Sequence, residues 1–279
     1  MKPQILVSAV TAGSGKTLFT MGLLRALKNR GMKVQPYKCG ADFIDSSYLS
    51  IAADKESVNL DAWMSSPTHT QHIYNRYGEQ ADACITEGTA ALFDGYRRMQ
   101  GSSAEIANIL NLPVILLVNA RMAGYSVAPL LYGYKHFYSG VHIAGVIFNQ
   151  VSSPAHYAHL REACSDTGLD CLGYLPVMEE VKLFPKHNAI SLANRRIIDE
   201  QANIVASQIE KSIDISRMLN RCNRNFPCQY TLPYYSDTED DMQPYLWRAM
   251  ERLVGIYKLF GSVVLTMNVN KEQLLERAC

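Results

Sequence analysis

Short apolar runs alternate with amphipathic stretches along most of the chain. Residues 4–10 (QILVSAV) carry no polar/apolar alternation, as a strand buried on both faces requires. Residues 18–29 follow with Leu18, Met21, Leu24, Arg25 and Lys28 at helical spacing, and Gly31 is placed to end the helix. The same reading predicts strands over 33–38, 81–87 and 113–120. The last of these, PVILLVNA, is the strongest. It predicts helices over 102–110, capped by Ser102 or Ser103, and over 124–137, where Pro129 is out of place. A strand over 142–149 (HIAGVIFN), a helix over 155–167, a short strand over 171–175 and a helix over 195–212 complete the series. Strand and helix alternate with short connections. That pattern predicts an α/β fold with a doubly wound, mostly parallel sheet.

After Asp214 the pattern breaks. Residues 220–233 are interrupted by Asn, Cys and Pro, and 236–241 form an acidic cluster expected to be a solvated loop. Residues 243–260 fit a helix and 262–268 a strand. The expected organisation is therefore one large domain over 1–214 and a small C-terminal appendage over 215–279.

Composition narrows the class. With 48% hydrophobic and 19% charged residues, the chain has an ordinary globular profile. A formal net charge of +1 leaves no electrostatic footprint for nucleic acid or an acidic membrane surface, so neither is an expected partner. The seven cysteines are irregularly spaced and form no C-x-x-C pair, which predicts reduced, packed thiols. An apolar strand starts near Met1 and no apolar run reaches membrane-spanning length, so the expectation is a cytoplasmic protein.

Chemistry enters at SAVTAGSGKT, residues 8–17, between the first strand and the first helix. A glycine-rich turn here aims backbone N–H groups at a phosphate, and the helix dipole favours the anion. Gly13, Ser14, Gly15, Lys16, Thr17 and Leu18 are the expected nucleotide-binding stretch. Lys16 would reach the terminal phosphates, and the Thr17 hydroxyl would sit on magnesium. The strict phosphate-loop pattern wants glycine where this chain has Val10.

Two further carboxylate motifs stand where open α/β sheets place ligands. In VQPYKCGADFIDSSYL, residues 34–49, Asp42 and Asp45 follow a strand end, with Lys38 just upstream. Carboxylates three apart on a turn can share a magnesium ion; the same pattern fits a helix-capping Asp followed by a surface Asp. In CITEGTAALFDG, residues 84–95, Glu87 ends a buried strand, the usual place for the acid that orders magnesium in phosphate-loop enzymes.

Together with NLDAWM (59–64), these motifs resemble the synthetase half of the cobyrinic acid a,c-diamide synthase family. That family also lacks glycine at the position of Val10. HIAGVIFNQV (142–151), LGYLP (172–176) and FPKHNAISL (184–192) extend the resemblance over about 1–212. The resemblance implies a P-loop NTPase fold of the dethiobiotin synthetase type. It also implies ATP- and magnesium-dependent amidation of corrin or other tetrapyrrole carboxylates through an acyl phosphate. Carried over by position, Lys16, Lys38, Asp45 and Glu87 are catalytic. Thr17, Asp42, Asp45 and Glu87 hold or orient Mg2+. Asn149 reads adenine, and Asp45, Tyr48, Ala91 and His187 face the substrate. A strand-terminating turn residue is the other reading of Asn149, and an exposed loop histidine the other reading of His187.

The chain departs from the family at Ala41, Ala91 and residues 188–190, all on the expected substrate side. It also lacks the Gly-rich nucleophile turn of a glutamine amidotransferase, so ammonia is expected from solution or from a separate glutaminase subunit. A homodimer is expected by analogy with the fold. Two other readings remain open: a dethiobiotin synthetase-like ligase acting on another carboxylate, and an ATP-binding switch or scaffold without catalysis.

Overall fold

The apolar runs become strands β1 (Lys2–Ala9), β2 (Val34–Cys39), β3 (Val58–Leu60), β4 (Ala83–Glu87), β5 (Val114–Asn119), β6 (Ile143–Val151) and β7 (Cys171–Pro176). All seven lie parallel in the order β3-β2-β4-β1-β5-β6-β7 in a computed structural model that describes residues 1–181 and 192–226. Hydrophobic clusters cover both faces of the sheet, so inner strands such as β5 are apolar without alternation.

Helices α1 (Lys16–Asn29), α2 (Phe43–Ala53) and α7 (Leu192–Ser212) belong to one layer. Their fit is close. A Cβ on Gly22 of α1 would lie 2.4 Å from Val205 Cγ1 of α7. The buried Arg25 guanidinium ties the three helices together. It donates to the Ile51 and Ala52 carbonyls at the end of α2, at 3.0 Å each, and pairs with Asp199 of α7 at 2.5 Å. Helices α3 (Pro67–Gly78), α4 (Ser103–Ile109), α5 (Val127–His136) and α6 (Pro154–Asp166) complete the alternation.

Several expectations are met, with Ser102 rather than Ser103 capping α4. Pro129 turns out to be well placed. It falls in the first turn of α5, where the backbone N–H has no helical partner to lose. Helices α2 and α3 and strand β3 were not anticipated.

The border expected at Asp214 is corrected. Asp214 caps a further helix, α8 (Ile215–Arg221), whose Ile215 and Met218 are buried. A two-residue strand, β8 (Asn223–Arg224), then pairs antiparallel with β1. These segments fall within the first of two compact units, Met1–Ala62 with Pro67–Pro233. The second unit is Trp63–Ser66 with Tyr234–Cys279, of which Trp63–Ser66 is described. The expected acidic loop, helix and strand over 236–268 lie outside the described residues. So do His187, Cys228 and Cys279. No helix among the described residues is long and apolar enough to cross a membrane.

Candidate nucleotide-binding site

β1 lies in the middle of the sheet, between β4 and β5, and the chain leaves it at Val10 to enter the glycine-rich turn. Gly13 (φ 73) and Gly15 (φ 89) take the left-handed conformations of the turn, and Val10 is not among the residues of positive φ. A glycine is therefore not required conformationally at Val10, whose side chain packs on the core instead. Gly15 is the N-cap of α1 and has no side chain to satisfy the first N–H groups. An anion is a natural partner for those donors.

The turn is fixed from within and from outside. Ser14 Oγ donates to the Thr11 carbonyl at 2.7 Å and lies 2.9 Å from Thr11 Oγ1. Asn149 Nδ2, from β6, donates to the Ser14 carbonyl at 2.8 Å, while Asn149 Oδ1 accepts from the Gln150 N–H at 2.9 Å. A Cβ on Gly15 would lie 2.4 Å from Asn149 Nδ2. The residue expected to read adenine is thus occupied, in this structure, in holding the phosphate loop.

Charge gathers beside the turn. Lys38 is the penultimate residue of β2 and Glu87 ends β4, and the two are direct partners in the sheet register. Lys38 Nζ lies 2.8 Å from Glu87 Oε1 and 3.1 Å from Asp45 Oδ2, and it donates to the Gly88 carbonyl at 3.1 Å. Thr17 Oγ1, in the first turn of α1, donates to the same Glu87 oxygen at 2.8 Å. Lys16 Nζ donates to the carbonyl of Ala90, a non-glycine residue at φ 34.

Lys38, Glu87 and Asp45 are 2%, 0% and 5% exposed. Burial works against the Lys38 ammonium, but Glu87 and Asp45 outweigh it and hold it above the ordinary lysine value. Burial pushes the Glu87 carboxyl up, and Asp45 adds to this against the pull of Lys38 and Thr17. Glu87 Oε2 is buried without a hydrogen-bond partner.

The two aspartates part company. Asp42 is the N-cap of α2, its Oδ1 accepting from the Ile44 and Asp45 N–H groups at 3.1 and 3.0 Å. Asp45, within the first turn, faces Lys38. The sequence fits either a shared magnesium site or a helix-capping Asp followed by a surface Asp; the structure brings Asp45, Lys38, Glu87 and Thr17 together, buries Asp45 and uses the Asp42 carboxylate for capping.

Asn59, on β3, belongs to the NLDAWM motif, which the sequence alone gives no role. Its Nδ2 donates to the carbonyls of Gly40 (2.7 Å) and Asp42 (3.2 Å), and its Oδ1 accepts from Ser46 Oγ at 2.9 Å. Asn59 therefore sets the start of α2, and with it the aim of Asp45. No local signal marked it, because its partners lie 13 to 19 residues away in the chain.

The expected substrate contacts fare differently. Tyr48 is 2% exposed and sits in the core on α2, and Ala91 is 3% exposed. Leu18 is partly buried against the core. Among the described residues, no group of three or more His, Cys, Asp or Glu is arranged to hold a metal by itself.

Comparison with known proteins places this geometry in a wider group. A family model described as the CobQ/CobB/MinD/ParA nucleotide binding domain matches residues 5–192. The cobyrinate a,c-diamide synthase of Dehalococcoides mccartyi is 36% identical over 242 residues, covering 83% of this chain and 52% of that protein. The hydrogenobyrinate a,c-diamide synthase of Brucella ovis is 39% identical over 211 residues, covering 75% of this chain and 47% of that protein. This chain thus spans about half the length of these relatives. Among solved structures, chloroplast FtsY from Physcomitrella patens matches with a TM-score of 0.47 at 14% identity, covering 71% of this chain and 65% of that one. With a phosphate loop at the end of the central strand and a family match that runs through all seven parallel strands, the chain belongs to the CobQ/CobB/MinD/ParA nucleotide-binding domain family.

Proposed function

We propose that this chain catalyses ATP-dependent amidation of carboxylates on a corrinoid or related tetrapyrrole, as the names of its relatives indicate for those proteins. The observation that carries the reading is the Lys38 ammonium held between Glu87 and Asp45, beside the Thr17 hydroxyl, at the mouth of the phosphate loop.

A carboxylate is a poor electrophile until one of its oxygens becomes a leaving group. In the proposed reaction a substrate carboxylate oxygen takes the terminal phosphoryl group of ATP, and ammonia then displaces phosphate to leave the amide. Such a transfer needs positioning and charge neutralisation more than covalent help. The loop N–H groups and Lys16 bind the phosphates. Lys38 stays protonated and neutralises charge near the transferred group. Asp45, aimed by the Asp42 cap and Asn59, orients the reacting groups.

The residues fit a magnesium ion. The Thr17 hydroxyl, the otherwise unpartnered Glu87 Oε2 and the Asp45 carboxylate form a hard oxygen set that would hold it. Magnesium bound there would supply neutralisation of the phosphate charge. Ammonia comes, in this reading, from solution or from a separate glutaminase.

The test is ATP turnover with magnesium and ammonium, adding cobyrinic acid or hydrogenobyrinic acid and following product mass. The expected result is carboxylate-to-amide conversion, reduced at least about 100-fold in Lys16→Ala and Asp45→Asn. Tight ATP binding with no mass change on either acid would refute the corrin assignment.

A further inference from the structure

Two side chains from outside the phosphate loop grip its backbone. One is Asn149, at Ser14. The other is Tyr134, on α5, whose hydroxyl donates to the Val10 carbonyl at 2.7 Å. Val10 is where the chain leaves β1 and where the strict loop pattern has its first glycine. A peptide unit is planar and trans, so fixing the Val10 carbonyl also fixes the Thr11 N–H, which points the opposite way. The direction in which residues 11–13 depart from the sheet is set there.

Tyr134 touches the other side of the site as well. Its ring packs on Phe93 at 5.4 Å between centroids, and Phe93 packs on Phe137 at 5.1 Å. Phe93 belongs to the segment that follows Glu87. That segment is bound to the end of β1 by the Leu92 N–H on the Ala9 carbonyl, at 2.9 Å, and it presents the Ala90 carbonyl to Lys16. Half burial, with Asp94 nearby, pushes the Tyr134 phenol up and keeps its proton available for donation.

We infer that Tyr134 is a positioning residue for nucleotide binding and acts through its hydroxyl, which holds the glycine-free start of the phosphate loop; the packing of its ring on Phe93 anchors the side chain in the fold. The inference rests on the nucleotide-binding reading and not on the identity of the acid substrate.

The test is titration of the full chain with a fluorescent ATP analogue and magnesium, alongside thermal melts, for the wild type, Tyr134→Phe and Phe93→Leu. Tyr134→Phe removes the hydroxyl and keeps the ring. Its expected effect is about three- to tenfold weaker nucleotide binding at nearly unchanged melting temperature. Phe93→Leu removes the ring contact and keeps the hydroxyl, so it lowers the melting temperature and leaves nucleotide affinity unchanged. Wild-type affinity in Tyr134→Phe, or equal losses of affinity in the two variants, would overturn the assignment. The wild-type isotherm tests nucleotide binding itself, so the two ideas fail separately.

Discussion

Lys38 stands at the carboxyl end of the sheet, on β2, and Lys28 at the end of α1 that leads back to the amino end of β2. Lys38, at the carboxyl end of β2, is 2% exposed and lies between two buried carboxylates. Lys28, in the last turn of α1, has a side chain 39% exposed and reaches Asp54 at 3.2 Å, itself 67% exposed. Asp54 is the left-handed C-cap of α2, at φ 53. Near it, Lys33, Lys55 and Arg76 line an open groove. There the helix ends explain the cations: the carbonyl ends of α1 and α2 attract positive charge, and water carries the rest of its solvation. No such explanation serves Lys38. Its burial is expensive, and a packed apolar residue with neutral neighbours would commonly do as well for stability. What the comparison teaches is that the charges at the carboxyl end are buried and tied to one another, as the proposed ligand role requires, whereas those at the amino end decorate a surface.

The sharpest way to break the contrast is Lys38→Met. It strands Glu87 and Asp45 without their cation, and the expected cost is about 3–5 kcal/mol in chemical denaturation. The loss should depend on pH. A carboxyl held above its ordinary value in the fold favours the native state while protonated, and that advantage is lost as pH rises through its folded value. Lys38→Met should therefore be more destabilised near about pH 8 than near about pH 5, where a protonated Glu87 tolerates burial. Equal losses at both would show that Glu87 is not the group left exposed to the penalty.

A smaller effect is expected one layer out. Asn59→Ala removes three hydrogen bonds, although the Gly40 carbonyl keeps the Asp42 N–H and the Asp42 carbonyl keeps the Ser46 hydroxyl. It should cost about 1–3 kcal/mol in urea unfolding. Because Asn59 aims α2, turnover should fall by more than nucleotide affinity does, and a parallel fall in both would reduce Asn59 to a packing role. The smallest effect belongs to the amino end. Lys28→Ala should change stability by no more than about 0.5 kcal/mol, screened further by salt. A drop like that of Lys38→Met would erase the distinction between the two ends.

How far the sequence reached follows the same division. The phosphate loop was legible because glycine spacing, a buried run and a helical period coincide within residues 4–29. Lys38 and Glu87 were legible as strand ends, but their pairing is a matter of register between β2 and β4, which no local pattern carries. Helix α2 was not predicted as an element, because Asp42, Asp45, Ser46 and Ser47 also fit a ligand loop; of the two readings of Asp42, the helix cap is the one the structure shows. Tyr48 was assigned to the substrate from its neighbourhood in the motif, while its place on α2 turns it into the core. The border at Asp214 was drawn where apolar periodicity fades. Helix α8 and β8 are short, and their burial depends on contact with β1 at the far end of the chain. Asn59 and Tyr134 were invisible for one reason: each acts on a backbone carbonyl remote in sequence.

The Gly15–Asn149 contact has a consequence for inheritance. A methyl group at Gly15 and the Asn149 amide cannot occupy the same space, since they would lie 2.4 Å apart. The two sites, one at the cap of α1 and the other on β6, are distant along the gene. Gly15 is constrained twice: its φ of 89 strains any side chain, and a Cβ there would also meet the Asn149 amide. Shortening Asn149 lifts only the second constraint, so a change at 149 does not by itself open position 15 to other residues.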